Sequence, residues 1–417
     1  MEKIRVGVFG LSRGVYIARE FVHNGAEIVA FCDLYDDRIA AARAEFGENI
    51  PAYKDFDRFL EHPMDAVILT NNFSDHAPYA VKCLAKNIHV LSECISNGTM
   101  AEGVALVRAF EKSKAVYMMA ENYPQSLLNT ELKRVADGGT LGKIVFAESE
   151  YNHPLPELDP NIVRMLMFTP KHWRNFLPKT YYITHSLGPV MYMTGATPKK
   201  VSAFAVFDPV AENAPSASYV GDRLANITTQ NDDGSVFRVT AFSQFGGHNS
   251  TVRLCGTKGQ AESLRGQGDK VLVRYNDWDL PENTENNRVY TPEWNDKDAE
   301  LIKKSEHGGG DFKTVRLFLE CIKEKKQPPM PFDVYSSTVM SSVAILGHRS
   351  VLNGGKVYDI PDFRNEEDRA LYENDDLTPF WREDGRAPTV PCCSHPDYKP
   401  SEKQLELYAE AIKDNFK

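Results

Sequence analysis

A chain of 417 residues, 42% hydrophobic and 25% charged, has a globular composition with room for about two to three domains. Its formal net charge of -10 denies it the basic face that nucleic acid or an anionic membrane demands, so neither is expected as a partner. Seven cysteines without a CxxC pair give no zinc knuckle or thioredoxin-like motif, and apolar runs fall far short of the ~20 residues of a membrane span. No metal is expected. Met1 is followed almost at once by an apolar strand, which leaves no room for a secretory leader and points to the cytoplasm, with reduced thiols.

In chain order, residues 4–9, 27–32, 66–70, 89–92 and 116–120 are apolar at successive positions, as in strands buried on both faces. Amphipathic segments at 38–46, 77–86 and 101–112 lie between them. This alternation predicts a doubly wound parallel sheet, a Rossmann-type domain over residues 1–121. A helix over 125–137 follows, ended by Gly138 and Gly139. Strands with alternating faces are then expected at 143–153, 200–207, 226–229, 235–242, 251–255 and 270–275. They predict an α+β domain over 122–361 with a large, mostly antiparallel sheet, one face exposed or covered by a partner subunit. Helices at 309–325 and 334–352 come late enough to return to the first domain. Residues 362–417, rich in proline and charge, read as an extended arm ending in a helix over 403–415.

Gly10-Leu11-Ser12-Arg13-Gly14 sits between a strand and a helix, where a dinucleotide fingerprint places a tight turn and backbone N–H groups facing a pyrophosphate. Ser12 takes the place of the second glycine, and Gly14 falls one residue before the third. Asp33, 23 residues after Gly10, either holds the adenosine ribose hydroxyls, favouring NAD over NADP, or caps the next helix. Arg38 either stacks on adenine or neutralises a phosphate. Asn71, Phe73 and His76 follow the strand predicted at 66–70, at the sheet edge where open α/β folds bind ligands; His76 reads as a helix cap rather than a catalytic group.

These segments, with Glu93 after the strand at 89–92, resemble the Gfo/Idh/MocA oxidoreductases over roughly residues 1–360. Members of that family carry a Lys after the Glu; here Cys94 stands there. They also place an Asp four residues before the catalytic His, and here the position is Tyr181. A subgroup, the NAD-dependent redox glycosidases of the α-N-acetylgalactosaminidase type, also lacks the lysine. Met118-Met-Ala-Glu-Asn122, Glu150-Tyr-Asn-His153, Tyr182-Ile-Thr-His-Ser-Leu-Gly-Pro-Val190 and His307-Gly-Gly-Gly-Asp311 resemble its motifs.

The resemblance implies catalytic or substrate-binding roles for Tyr151, His153, Tyr182 and His185, a cofactor contact at Asn122, and Trp173-Arg174 as a match for a sugar-binding arginine. It further implies a tightly held NAD, a carbohydrate substrate, and homodimers or homotetramers packed through the large sheet. His307 and Asp311 belong either to a substrate-contacting loop or simply to an acidic helix start.

Physically, Tyr151 and His153 lie two apart on a strand and share a face, Tyr182 and His185 lie three apart, and the Gly188-Pro189 that follows suggests a turn near a helix start. His185 is the natural base for a carbinol hydroxyl. Oxidation at ring C3 acidifies the C2 proton; its removal, with Tyr151 acting at C2, lets the C1 substituent leave. Net dehydrogenation of a sugar or cyclitol, and a non-catalytic NAD- or sugar-binding regulator, are the competing readings. Trp278 and Trp294 either stack on sugars or pack, and the adjacent Cys392 and Cys393 cannot close a tetrahedral metal site.

Overall fold

The computed structural model describes residues 3–413. Six parallel strands form the first sheet, in the order Ala52–Tyr53, Glu27–Cys32, Arg5–Phe9, Ala66–Leu69, His89–Ser92 and Tyr117–Met119. The inner strands are apolar on both faces because helices cover both. Val6, Val8, Ile68 and Leu91 pack into one layer, and Val67, Leu69 and Val90 into the other. The two-residue edge strand was not expected; it is too short to leave a periodic signal. The helix Met100–Glu111 begins at a capping box between Thr99 and Glu102.

The second sheet has nine strands. Its order is Asn287–Tyr290, Val271–Tyr275, Gly259–Ser263, Asn249–Gly256, Ile144–Asn152, Val236–Ser243, Asp222–Asn231, Pro198–Phe207 and Tyr358–Asp359. Only Ile144–Asn152 and Val236–Ser243 pair in parallel. The strand expected over 226–229 is the middle of one running Asp222–Asn231. Gly259–Ser263 was missed because Gly-Gln-Ala-Glu-Ser offers a single apolar residue to the core. Ala147, Tyr151, Ile227, Phe237 and Val239 face inward. The helices Thr184–Thr194 and Val334–Leu352 cover that face. On the other face Glu148 pairs with Arg238 and Arg253, and Phe204 and Val206 stand in the open.

One expectation is corrected. Gly188 and Pro189 make no turn; both lie inside the helix Thr184–Thr194. Proline forfeits one helical hydrogen bond there, at a cost of about 3 kcal/mol. Burial of Leu187, Val190, Met191 and Met193 carries the helix on until Gly195 adopts the left-handed conformation.

The late helix Gly310–Glu324 packs on Gly14–His23 beside the parallel sheet, with Phe318 edge-on to Phe21 at 5.9 Å. Val334–Leu352 lies between Met100–Glu111 and the strand Pro198–Phe207. The arm runs back over its own chain and ends in the helix Glu402–Ile412, which packs on Pro160–Leu166. The last residues of the helix expected there, Asp414 and Asn415, lie outside the described residues. Among the described residues no helix is long and apolar enough to cross a membrane.

Candidate active site

A cavity of about 730 Å³ runs along the carboxyl edge of the parallel sheet and reaches the inner face of the second. Its floor begins at Gly10, whose φ of +88° only glycine adopts freely. A Cβ at Gly10 would stand 2.4 Å from the Thr70 carbonyl oxygen, so the turn is pressed onto the neighbouring strand end. Gly14 does not line the cavity. A Cβ there would meet Val8 and the Thr70 hydroxyl at 2.7 Å, so it performs the third glycine's task of close helix–strand packing. Ser12 and Arg13 line the wall between them.

Asp33 caps no helix side chain-first; Tyr35 is the N-cap residue of Asp36–Phe46. The Asp33 carboxylate instead accepts the Leu11 N–H at 2.7 Å and the Tyr35 N–H at 3.0 Å, and so ties the glycine turn to the second strand. Arg38 stands 4.0 Å from it, over the rings of Tyr35 and Phe168 at 4.6 and 5.1 Å. Asn71 donates to the Asp75 carbonyl at 3.1 Å. His76 donates from Nδ1 to the Ile95 carbonyl at 2.8 Å, and burial holds its imidazole neutral. Phe73 stacks on Trp173 at 4.8 Å and on Tyr182 at 6.0 Å, so it joins the dinucleotide loop to the second domain's wall.

A buried ion network crosses the middle of the cavity. Arg13 donates to Glu93 at 2.9 Å and to Asp311 at 2.6 Å. Asp311 also accepts from Asn122 at 2.7 Å and from His307 at 3.1 Å. Burial alone would raise the Asp311 carboxyl, but His307 and Arg13 hold it well below the usual range. Asp311 is therefore a brace behind the wall, and His307, Asn122 and Arg13 are the groups that face the cavity.

At the far end His185 sets its Nδ1 2.9 and 3.0 Å from the two oxygens of Glu121. Glu121 is fully buried, yet the pairing with His185 outweighs burial and keeps it ionised. Gly188, one turn after His185, makes room for it; a Cβ there would meet Glu121 Cγ at 2.9 Å. Cys94, where the family's lysine would stand, is buried with Sγ 3.2 Å from Glu121 Oε2. Burial beside Glu121 pushes this thiol well up, so it stays protonated.

Around His185 stand Tyr123 at 4.5 Å, Tyr151 at 4.9 Å and Tyr182 at 5.2 Å between ring centres. Tyr182 lines the cavity, with Tyr151 stacked behind it at 6.0 Å. Burial pushes both phenols up; for Tyr182 the Arg174 guanidinium opposes that push. His153 lies beyond Tyr151 at 5.8 Å, outside the cavity wall, and burial and His248 keep it neutral. Trp173 and Arg174 line the cavity and pack on each other at 4.3 Å. Trp278 is on the surface, 82% exposed, and Trp294 packs against Lys313. His395 stacks on Phe207 at 3.7 Å, away from any shared site with the neighbouring thiols.

The structure thus gathers His185, Tyr182, Tyr151, Trp173, Arg174 and His307 at one end, and Gly10, Ser12, Asp33, Arg38, Asn71 and His76 toward the other. Sequence reasoning passed over Glu121 and Tyr123. The signal was present: Glu121 sits beside Asn122, and a glycine one helical turn after His185 marks a close neighbour.

Comparison with known proteins bears on the same two halves. Residues 4–121 match the oxidoreductase family with an NAD-binding Rossmann fold, Gfo/Idh/MocA, and residues 248–368 match the glycosyl hydrolase 109 C-terminal domain. The chain thus joins a Gfo/Idh/MocA NAD-binding domain to a glycosyl hydrolase 109 C-terminal domain. It is an NAD-dependent enzyme. A glycosyl hydrolase family 109 protein of Stenotrophomonas maltophilia is 23% identical, over 87% of this chain and 89% of its own length. One from Streptomyces niveus is 25% identical, over 87% and 78%. Among solved structures, levoglucosan dehydrogenase in complex with NADH and levoglucosan superposes with a TM-score of 0.69 at 17% identity, covering 86% of this chain and all of that one. Myo-inositol 2-dehydrogenase from Lactobacillus plantarum gives 0.65 at 16%, with 86% and 100% covered.

NAD fits what these residues offer. The Gly10 turn would be filled by any side chain, and the buried amide oxygens of Asn71 and Asn122 have no protein partner where they border the cavity. Gly10, Ser12 and Arg13 would hold its pyrophosphate, Asp33 its adenosine ribose, and Glu93 and Asn122 its nicotinamide half.

Proposed function

We propose that the enzyme cleaves a pyranoside by transient oxidation at ring C3, followed by elimination across C1–C2 and addition of water, with the dinucleotide retained throughout. Bound NAD supplies the hydride acceptor at C3 and returns the hydride at the end of the cycle. The observation that carries this reading is His185, braced on buried Glu121, with a protonated thiol where an amine base would stand.

His185 Nε2 takes the proton of the C3 hydroxyl, and Glu121 stabilises the imidazolium that results. The C2 proton goes to the stacked Tyr151–Tyr182 pair, where burial raises both phenols and Arg174 opposes that rise at Tyr182, so Tyr182 is the easier of the two to ionise. A protonated phenol of the same pair then donates to the departing C1 oxygen. Trp173 offers a ring face to the sugar, and Phe73 behind it keeps that face in place. His153 holds Tyr151 from behind. The balance closes: the pair holds the proton taken from C2 and returns it there, while water gives its hydroxide to C1 and its proton replaces the one carried off by the leaving group.

The test is a panel of aryl glycosides turned over in heavy water. Cleavage by this route places deuterium at C2 of the product and leaves no reduced cofactor behind. Accumulation of NADH with a stable 3-keto sugar and no deuterium at C2 would establish net dehydrogenation instead. Tyr151→Phe and Tyr182→Phe, assayed separately for deuterium uptake, show which phenol serves C2.

A further inference from the structure

The segment of the arm between Asp375 and Pro391 is fastened at both ends to the helix Val334–Leu352. Arg349 grips Asp375 through two hydrogen bonds of 2.6 Å, and His348 Nε2 donates to the Pro391 carbonyl at 2.7 Å. Thr378 and Thr389 close the base of the loop by mutual hydrogen bonds of 2.8 Å. Its middle packs behind the cavity wall and enters it at Glu383. Phe380, fully buried, packs edge-on to Phe73 at 6.2 Å. Trp381 receives the Lys171 ammonium over its ring at 3.9 Å. Arg382 pairs with Asp75 at 3.3 Å, inside the loop that carries Asn71 and His76, and with Glu102. Glu383 accepts a hydrogen bond from the Tyr79 hydroxyl and lines the cavity.

Glu383 stands where the cavity wall is aromatic. Phe9, Phe56 and Tyr79 contact one another at 4.6 to 4.8 Å between ring centres, and all three line the same end. Apolar ring faces suit a flat heterocycle, and a carboxylate beside them suits an N–H donor while repelling a phosphate. With the nicotinamide required at His185, the group that reaches this end is the adenine base.

We infer that the C-terminal arm is part of the NAD site, and that Glu383 accepts a hydrogen bond from the exocyclic amine of adenine. The inference rests on the dinucleotide lying along this cavity. Tyr79 occupies one carboxylate oxygen and holds the side chain; the other is left for the base. Arg382 and Phe380 fix the arm to the loop at Asn71–His76, so the same segment that reads the base also steadies the loop beneath it.

Nicotinamide hypoxanthine dinucleotide, in which a ring carbonyl replaces that amine, provides the test. Full-length protein is exchanged into NAD or into this analogue, and the dissociation rate of each is measured. Wild type is expected to release the analogue about tenfold faster, the size of one hydrogen bond to a charged group. Glu383→Ala should release both at the faster rate, and Glu383→Gln, which keeps an acceptor, should restore part of the difference. Equal release of the two by wild type, or a preference that survives in Glu383→Ala, overturns the inference and leaves NAD placement intact. A wild type that holds neither dinucleotide overturns that placement itself.

Discussion

Arg13, in the middle of the cavity, and His185, at its far end, each lean on a buried carboxylate, but the two pairs are built differently. Asp311 is shared among Arg13, Asn122 and His307, so its charge is permanently satisfied. Glu121 holds one imidazole through both oxygens, beside the Cys94 thiol and the Tyr123 N–H, and the proposed cycle has that imidazole gain and lose a proton. The first carboxylate fixes a wall; in the proposed cycle the second meets a charge present only part of the time.

Breaking the second pair should have the largest effect. His185→Ala is expected to lower kcat by about a thousandfold, and Glu121→Gln by about a hundredfold, in steady-state assays on folded protein. A Glu121→Gln enzyme with full kcat would end the distinction between the two carboxylates.

Next come two buried charges that lack so close a partner. Burial pushes the Lys179 amine down to about 7 against the pull of Asp222, and pushes the Asp75 carboxyl up to about 7 against Arg382. From pH 7 to about 10 the unfolded chain holds the extra proton at Lys179, so stability rises with pH there. From about pH 4 to 7 the folded chain holds the extra proton at Asp75, so stability falls as pH rises. These groups place a minimum near pH 7. Lys179→Met should flatten the alkaline side and add about 3 kcal/mol at neutral pH, and Asp75→Asn should flatten the acid side, in denaturant titrations at pH 5, 7 and 9.

Loosening the first pair should be felt in binding rather than turnover. Asp311→Asn is expected to weaken NAD affinity about tenfold, by calorimetry, with kcat at saturating NAD changed far less. Equal losses in both would mean that the Arg13 network reaches the chemistry. The smallest effect is expected from Gly188→Ala. Its added methyl meets Glu121 and should cost about 1 to 2 kcal/mol in thermal stability, with a severalfold fall in kcat.

The two ends also differ in how much of them a reader of the sequence can see. The dinucleotide end is local: Gly10, Ser12, Arg13 and Asp33 lie on a turn and the strand end beside it, so motif spacing maps onto space. Even there Gly14 changed its meaning, from cofactor contact to helix packing. The sugar end is assembled from residues near 121, 151, 182 and 307, which no spacing rule connects. Resemblance named Tyr151, Tyr182 and His185. It could not name Glu121, because a carboxylate inside a segment otherwise apolar reads as a strand end until its partner is seen. Pro189 misled for a similar reason: a helix breaker by its own chemistry is overruled by the burial of its neighbours. The arm was legible as irregular and charged, and nothing in its sequence says which surface it crosses.

The thiol at position 94 has a bearing on descent. Its sulfur lies 3.2 Å from the oxygen of Glu121 that His185 also uses. A lysine arising there would bring an ammonium to the same carboxylate and contest it with the imidazole. Lineages with an amine and lineages with a thiol at this point differ, then, in which base owns a single anion.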